Sequence, residues 1–183
     1  MPRPIKECRP VSELMIAVFS SEAAATEARN ALVALQLKAG TPPEDIVLVI
    51  RESAGEITLA QSVWKATGKP LGDGRWGTLI GSLFLDERDP RTLAGQGLAG
   101  MFSRNGLDDD FIRDVSGALV RGGAAVGMRL RSLPAKAVIE RLSRLAEPGR
   151  LLRAKLDAET EADLAALRDL IPEYVPADER PEA

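Results

Sequence analysis

Three short patterns in the chain carry groups capable of chemistry. Gly95-Gln96-Gly97-Leu98-Ala99-Gly100 spells G-x-G-x-x-G, the loop whose glycines let a dinucleotide pyrophosphate approach a helix N-terminus. Its surroundings reject that use. No strand pattern precedes it, Ser103-Arg104-Asn105-Gly106 interrupts the helix that should follow, and no second strand carries an acidic residue at the required distance. Ser62-Val63-Trp64-Lys65 matches the S-x-x-K pattern in which a lysine activates a serine nucleophile, but neither companion motif, S-D-N nor K-T-G, is present. Asp108-Asp109-Asp110 would suit a hard cation, yet no Asp-x-Asp-x-Gly loop surrounds it, and three carboxylates also suit the start of a helix.

The inventory narrows the chemistry further. The 183 residues include no histidine and one cysteine, Cys8. A Ser-His-Asp triad, an imidazole base near neutral pH and an ordinary zinc site are thereby excluded, and one cysteine forms no internal disulfide. Carboxylates remain as the plausible acid-base groups. No catalytic, cofactor-binding or metal-ligating residues are assigned, no cofactor is expected, and an enzyme is the less favoured reading.

The elements that position these groups follow from periodicity. Leu14-Met15-Ile16-Ala17-Val18-Phe19 is apolar on both alternations, as a strand covered on both faces would be. Ser20 and Ser21 offer a cap to a helix over 22–39 carrying Ala24, Ala28, Ala31, Leu32 and Leu35, closed by Gly40. Ile46 to Ile50 is a second strand, and a turn at 53–56 leads to a third over 57–61. Regularity returns at Leu107, with a helix carrying Phe111, Ile112, Val115 and Leu119. A strand follows in which Val126, Met128 and Leu130 alternate with Gly127, Arg129 and Arg131. Ser132 is the expected cap of a helix with Val138, Ile139, Leu142 and Leu145. Leu152, Ala154 and Leu156 then mark a last strand, and Asp157 caps a final helix with Leu164, Leu167 and Ile171.

Two βαβ units in so short a chain imply an α+β fold, a ferredoxin-like sandwich with helices on one face of a mostly antiparallel sheet and a glycine-rich helical insertion. The expected organisation is a flexible tail over 1–10, a single domain over 11–172 with the insertion at 63–106, and an acidic tail over 173–183. The insertion holds nine of the sixteen glycines, and Gly77 with Gly81 has the small-xxx-small spacing at which backbones approach closely.

The net charge of −3 conceals an asymmetry. Residues 121–155 hold nine Lys/Arg against two Glu, a net of +7, so the remainder carries −10. Arg129, Arg131, Arg153 and Lys155 alternate with core residues and are expected to line the helix-free face, either simply solvated or meeting an anionic surface or acidic partner. These strands carry no aromatic platform for bases, so nucleic acid is not expected. Met15 and Phe19 would form an apolar patch on the same face, requiring cover by the insertion or by a second copy, and a homo-oligomer is the expected assembly. Trp64, Trp76, Phe84, Gly77, Gly81 and Gly97 complete the interface candidates. Residues 76–85 are about half the roughly 20 a spanning helix needs. With no secretory pattern at the N-terminus, a cytoplasmic protein is expected. Peripheral attachment through the basic face and the insertion is the alternative, and a small-molecule sensor or enzyme the second alternative.

Residues 14–32, the strand over 45–49, Leu59-Ala60-Gln61-Ser62, Trp76-Gly77-Thr78-Leu79-Ile80-Gly81-Ser82-Leu83-Phe84-Leu85 and Leu107-Asp108-Asp109-Asp110-Phe111-Ile112 together resemble a bacterial family of small proteins of unknown function. The resemblance spans most of 12–170. It implies an α/β domain interrupted by a glycine-zipper hairpin, often apolar enough for its members to be labelled membrane proteins. It implies no activity and no catalytic residues. The charges of 86–91 and Gln96 set this chain apart and argue against insertion into a bilayer.

Overall fold

The computed structural model describes residues 11–40, 44–61, 75–84, 106–131 and 133–169. Five strands, β1 (Ser12–Phe19), β2 (Ile46–Arg51), β3 (Ile57–Gln61), β4 (Ala124–Leu130) and β5 (Arg150–Leu156), form one antiparallel sheet in the order β3-β2-β4-β1-β5. Among the described residues five helices accompany them: α1 (Glu22–Ala39), α2 (Arg75–Gly81), α3 (Asp109–Ala118), α4 (Ala135–Ser143) and α5 (Ala158–Arg168), with a 3₁₀ turn (Ser82–Phe84) after α2. The α+β class is as expected. β1-α1-β2 and β4-α4-β5 are the two βαβ units. They interleave, because β4 lies between β1 and β2 while β1 lies between β4 and β5.

Local chemistry explains the boundaries. The Ser21 hydroxyl accepts from the Ala24 amide at 3.2 Å, and α1 closes where Gly40 turns left-handed at φ 64°, a conformation cheap only without a Cβ. The Asp108 carboxylate accepts from Asp110 and Phe111 at the start of α3, so the acidic triplet is used to begin a helix. Asp157 caps α5 by accepting from Thr160 at 2.8 Å, as expected. At α4 the expectation fails in detail. The N-cap is Pro134, with no side-chain capping bond, and Ser132 lies outside the described residues.

The layering corrects a larger expectation. Helices cover both faces of the sheet, so there is no helix-free face. α1 and α4 lie over Met15, Ala17, Phe19, Leu48, Val126 and Met128. α2, α3 and α5 lie over Leu14, Ile16, Val47, Val49, Leu152 and Leu156. The cause is the doubly apolar character of β1 and β2, since each exposed face would leave a row of hydrophobic side chains in water. Met15 and Phe19, both 2% exposed, are covered by the chain's own α1 and α4, whereas the described part of the insertion, α2 and its 3₁₀ turn, covers the opposite face.

Glycine sets how closely α2 sits on the sheet. A Cβ at Gly127 of β4 would stand 2.6 Å from Ile80 Cγ2, so the missing side chain forms the socket into which Ile80 inserts. Gly81 makes a similar approach to Leu59 of β3, where a Cβ would meet Leu59 Cδ2 at 2.9 Å.

Candidate functional site

The most concentrated polar chemistry among the described residues is a buried centre built on Arg129. The β1–β4 register pairs Leu14 with Arg129 and Ile16 with Gly127, so the guanidinium leaves the sheet on the α2/α3/α5 face. Its Nη1 donates to Glu161 Oε1 at 2.6 Å, and its Nη2 donates to Glu44 Oε2 and Oε1 at 3.2 and 3.4 Å. These side chains are only 10–11% exposed. The Trp76 ring lies over the guanidinium at 4.2 Å, and Arg168 stands 5.5 Å from the same ring.

Each partner has its own support. Gln36, on the buried stripe of α1, donates from Nε2 to the Glu44 carbonyl at 3.2 Å and accepts the Glu44 amide at 2.9 Å. The neighbouring Asp45 carboxylate accepts the Gly77 amide at 3.1 Å, tying the first turn of α2 to the entrance of β2. Burial raises the Glu44 pKa above its ordinary 4.5, and the Arg129 charge and hydrogen bonds offset this only in part. Trp76 Nε1 and Arg129 Nε are buried without a hydrogen-bond partner among the described residues. The centre is therefore a closed clamp. It joins α1, the start of β2, α2, β4 and α5, and it engages its carboxylates with a guanidinium at its core.

The basic residues singled out from the sequence do not share one face. The β1–β5 register pairs Met15 with Arg153 and Glu13 with Lys155, which places Arg153 and Lys155 on the α1/α4 side, opposite Arg129. Each strand alternates as expected, but their relative phase is set by the pairing with β1. Arg153 is engaged by Glu13, with Nε donating to Oε1 and Nη2 donating to Oε2 at 3.1 Å. The Glu13 hydrogen bonds raise the Arg153 pKa. Arg131 and Lys155 remain together, both lining a shallow hollow of about 230 Å³ beside the start of α4.

Among the interface candidates, Trp76, Gly77, Gly81 and Phe84 lie on α2 and its 3₁₀ turn and are buried toward the sheet. Trp64 and Gly97 lie outside the described residues, as do the S-x-x-K and G-x-G-x-x-G matches and both tails. Glu44, Glu161 and Gln36 escaped sequence reasoning. The available signal was a polar residue in an apolar phase: Gln36 continues the stripe of Ala25, Ala28 and Leu32, and Glu161 precedes Leu164 by three.

The second feature with open space is a groove of about 570 Å³ along β5. One wall is formed by Asp110, Phe111 and Asp114 of α3, and the other by the consecutive residues 151–155 of β5. β5 is an edge strand, paired with β1 on one side and with no strand on the other among the described residues. No group of three or more Cys, Asp or Glu suited to a metal ion occurs among the described residues. No described helix is long and apolar enough to cross a membrane.

Sheet, cladding and clamp define an α+β protein with an antiparallel sheet enclosed between two helical layers. The family model described as "Protein of unknown function (DUF1269)" matches residues 71–168, and the chain belongs to that family. The matched segment includes Trp76, Arg129 and Glu161, whereas Glu44 and Gln36 come from the part outside it. No curated protein and no solved structure gives a significant match to this chain.

Proposed function

We propose that the protein acts by binding another macromolecule, as a protein-interaction module, and not by catalysis. The observation that carries this reading is the edge of β5, which has no further strand beside it among the described residues and lies in a groove beneath α3. An unpaired edge presents a row of backbone donors and acceptors, a ready template for another strand. The groups best able to do acid-base chemistry, Glu44 and Glu161, are already engaged by Arg129 in the interior. Self-association belongs to the same reading but uses β5 poorly. Antiparallel pairing of two β5 strands would set Arg153 and Lys155 of both copies on the same face of one continuous sheet.

Amide hydrogen exchange tests the open edge without any ligand. In an antiparallel edge strand successive residues direct their N–H groups alternately toward the neighbour and away from it. Every second amide over 150–156 should therefore exchange rapidly while its neighbours are protected. Uniform protection along β5 would show the edge to be covered and would end this reading.

The placement of Arg131 and Lys155 around one hollow favours a second reading, contact with an anionic lipid surface at that end of the sheet. Trp76 and Phe84 are buried and supply no apolar contact to it in this conformation. Co-sedimentation with anionic vesicles at low and high salt checks it, and no binding at either salt concentration removes it.

A further inference from the structure

Resting on the open-edge reading, we propose that the β5 groove receives an extended segment of a partner protein whose side chains alternate between basic and acidic, added to the sheet as a sixth strand. The charge on the two walls carries the inference. The α3 wall is acidic, with exposed Asp110 and Asp114 one helical turn apart, about 6 Å along the axis; Asp110 meets Arg113 of its own helix at 3.5 Å, so Asp114 carries most of the wall's charge. The β5 wall is basic, with Arg153 and Lys155 two residues apart, about 6.6 Å along the strand. Both spacings match the two-residue repeat of an added strand.

The faces separate the two charges. α3 packs on the Leu152 and Ala154 side of β5, whereas Arg153 and Lys155 leave on the other. Side chains at alternate positions of an added strand would therefore meet carboxylates on one side and cations on the other. Glu13 binds Arg153 and lies opposite Lys155 in the register, so two cations face one carboxylate and the wall keeps a net positive charge. A second β5 lacks this pattern, because its charged alternation is basic throughout.

The opposing account is that these charges only guard the edge against aggregation. A ¹⁵N NMR titration of the full chain with three capped octapeptides decides between them: alternating lysine and glutamate, alternating glutamate and threonine, and alternating lysine and threonine. The Lys/Glu peptide should shift amides in 151–155 and 110–114 and bind more weakly as salt is raised. Asp114→Lys should weaken its binding about three- to tenfold, the range that reversing an exposed charge contact supplies, and move the preference to the Glu/Thr peptide. Lys155→Glu should move it to the Lys/Thr peptide. Both positions are exposed, so the fold tolerates the changes. Absence of shifts, or one unchanged preference in all three proteins, overturns the inference. If alternate β5 amides still exchange rapidly, the open edge stands and only the choice of occupant has failed; if they do not, both fall.

Discussion

Replacing Arg129 by methionine keeps most of the aliphatic volume and deletes the charge shared by Glu44 and Glu161. The two carboxylates, each about one-tenth exposed, would then lie in the interior without this counter-ion. Removing one partner of a buried pair costs about 3–5 kcal/mol, because the remaining charge is neither solvated nor compensated. That is a large part of the roughly 5–15 kcal/mol that stabilises a domain. With a urea dependence of about 2 kcal/mol per molar, the midpoint at pH 7 should fall by about 1.5–2.5 M. The penalty should shrink on acidification. Arg129 lowers the Glu44 pKa, so its loss raises that pKa further, and a raised carboxyl contributes its full stability below 4.5 and loses it as pH rises. Glu44→Gln and Glu161→Gln in the Arg129→Met background remove both carboxylates that Arg129 engages and should recover much of the stability. Urea denaturation followed by circular dichroism at pH 4 and pH 7 measures the loss and its recovery at each pH. A loss below about 1 kcal/mol at pH 7, the worth of a surface pair, or a loss independent of pH, would refute the clamp.

Further consequences follow from other contacts. Gly127→Ala should cost about 1–3 kcal/mol by pushing Ile80 out of its socket, and Ile80→Ala in that background should cost less than it does alone, as a double-mutant cycle in urea would show. Glu44→Gln cannot ionise. Its stability relative to the parent should therefore rise as pH increases from below 4.5 through the raised Glu44 value, and a flat difference would contradict the burial argument. Gln36→Leu leaves the Glu44 amide and carbonyl without their side-chain partner and should cost about 1–3 kcal/mol for each buried group unpaired, read as a lower thermal midpoint.

Elements whose causes are local were legible. The limits of α1 followed from Ser21 and Gly40, and the start of α5 from Asp157, because caps act over three or four residues. The acidic triplet at 108–110 was rightly read as a helix start. Alternation placed Arg129 on the phase opposite Met128, and Arg153 opposite Leu152 and Ala154. Two apolar alternations in β1 implied cover on both sides: the insertion's α2 helps cover the Leu14 and Ile16 face, as sought, whereas α1 and α4 cover the Met15 and Phe19 face, where the insertion or a second copy was sought.

Quantities that depend on which residue meets which across the chain were not legible. Arg129 and Arg153 look equivalent in sequence, yet register to β1 sends the first into the interior and leaves the second at an edge. Glu44 and Glu161 are separated from Arg129 by 85 and 32 positions, and only the closing of the sheet over α2 and α5 brings them within hydrogen-bond distance. The sequence by itself determined the elements on either side of the insertion, the α+β class and the chemistry excluded by the absence of histidine. The tertiary structure alone decided which charges are buried, which helices cover each face and which strands stand at the edges of the sheet among the described residues, because side-chain phase is local whereas strand pairing joins residues far apart in the chain.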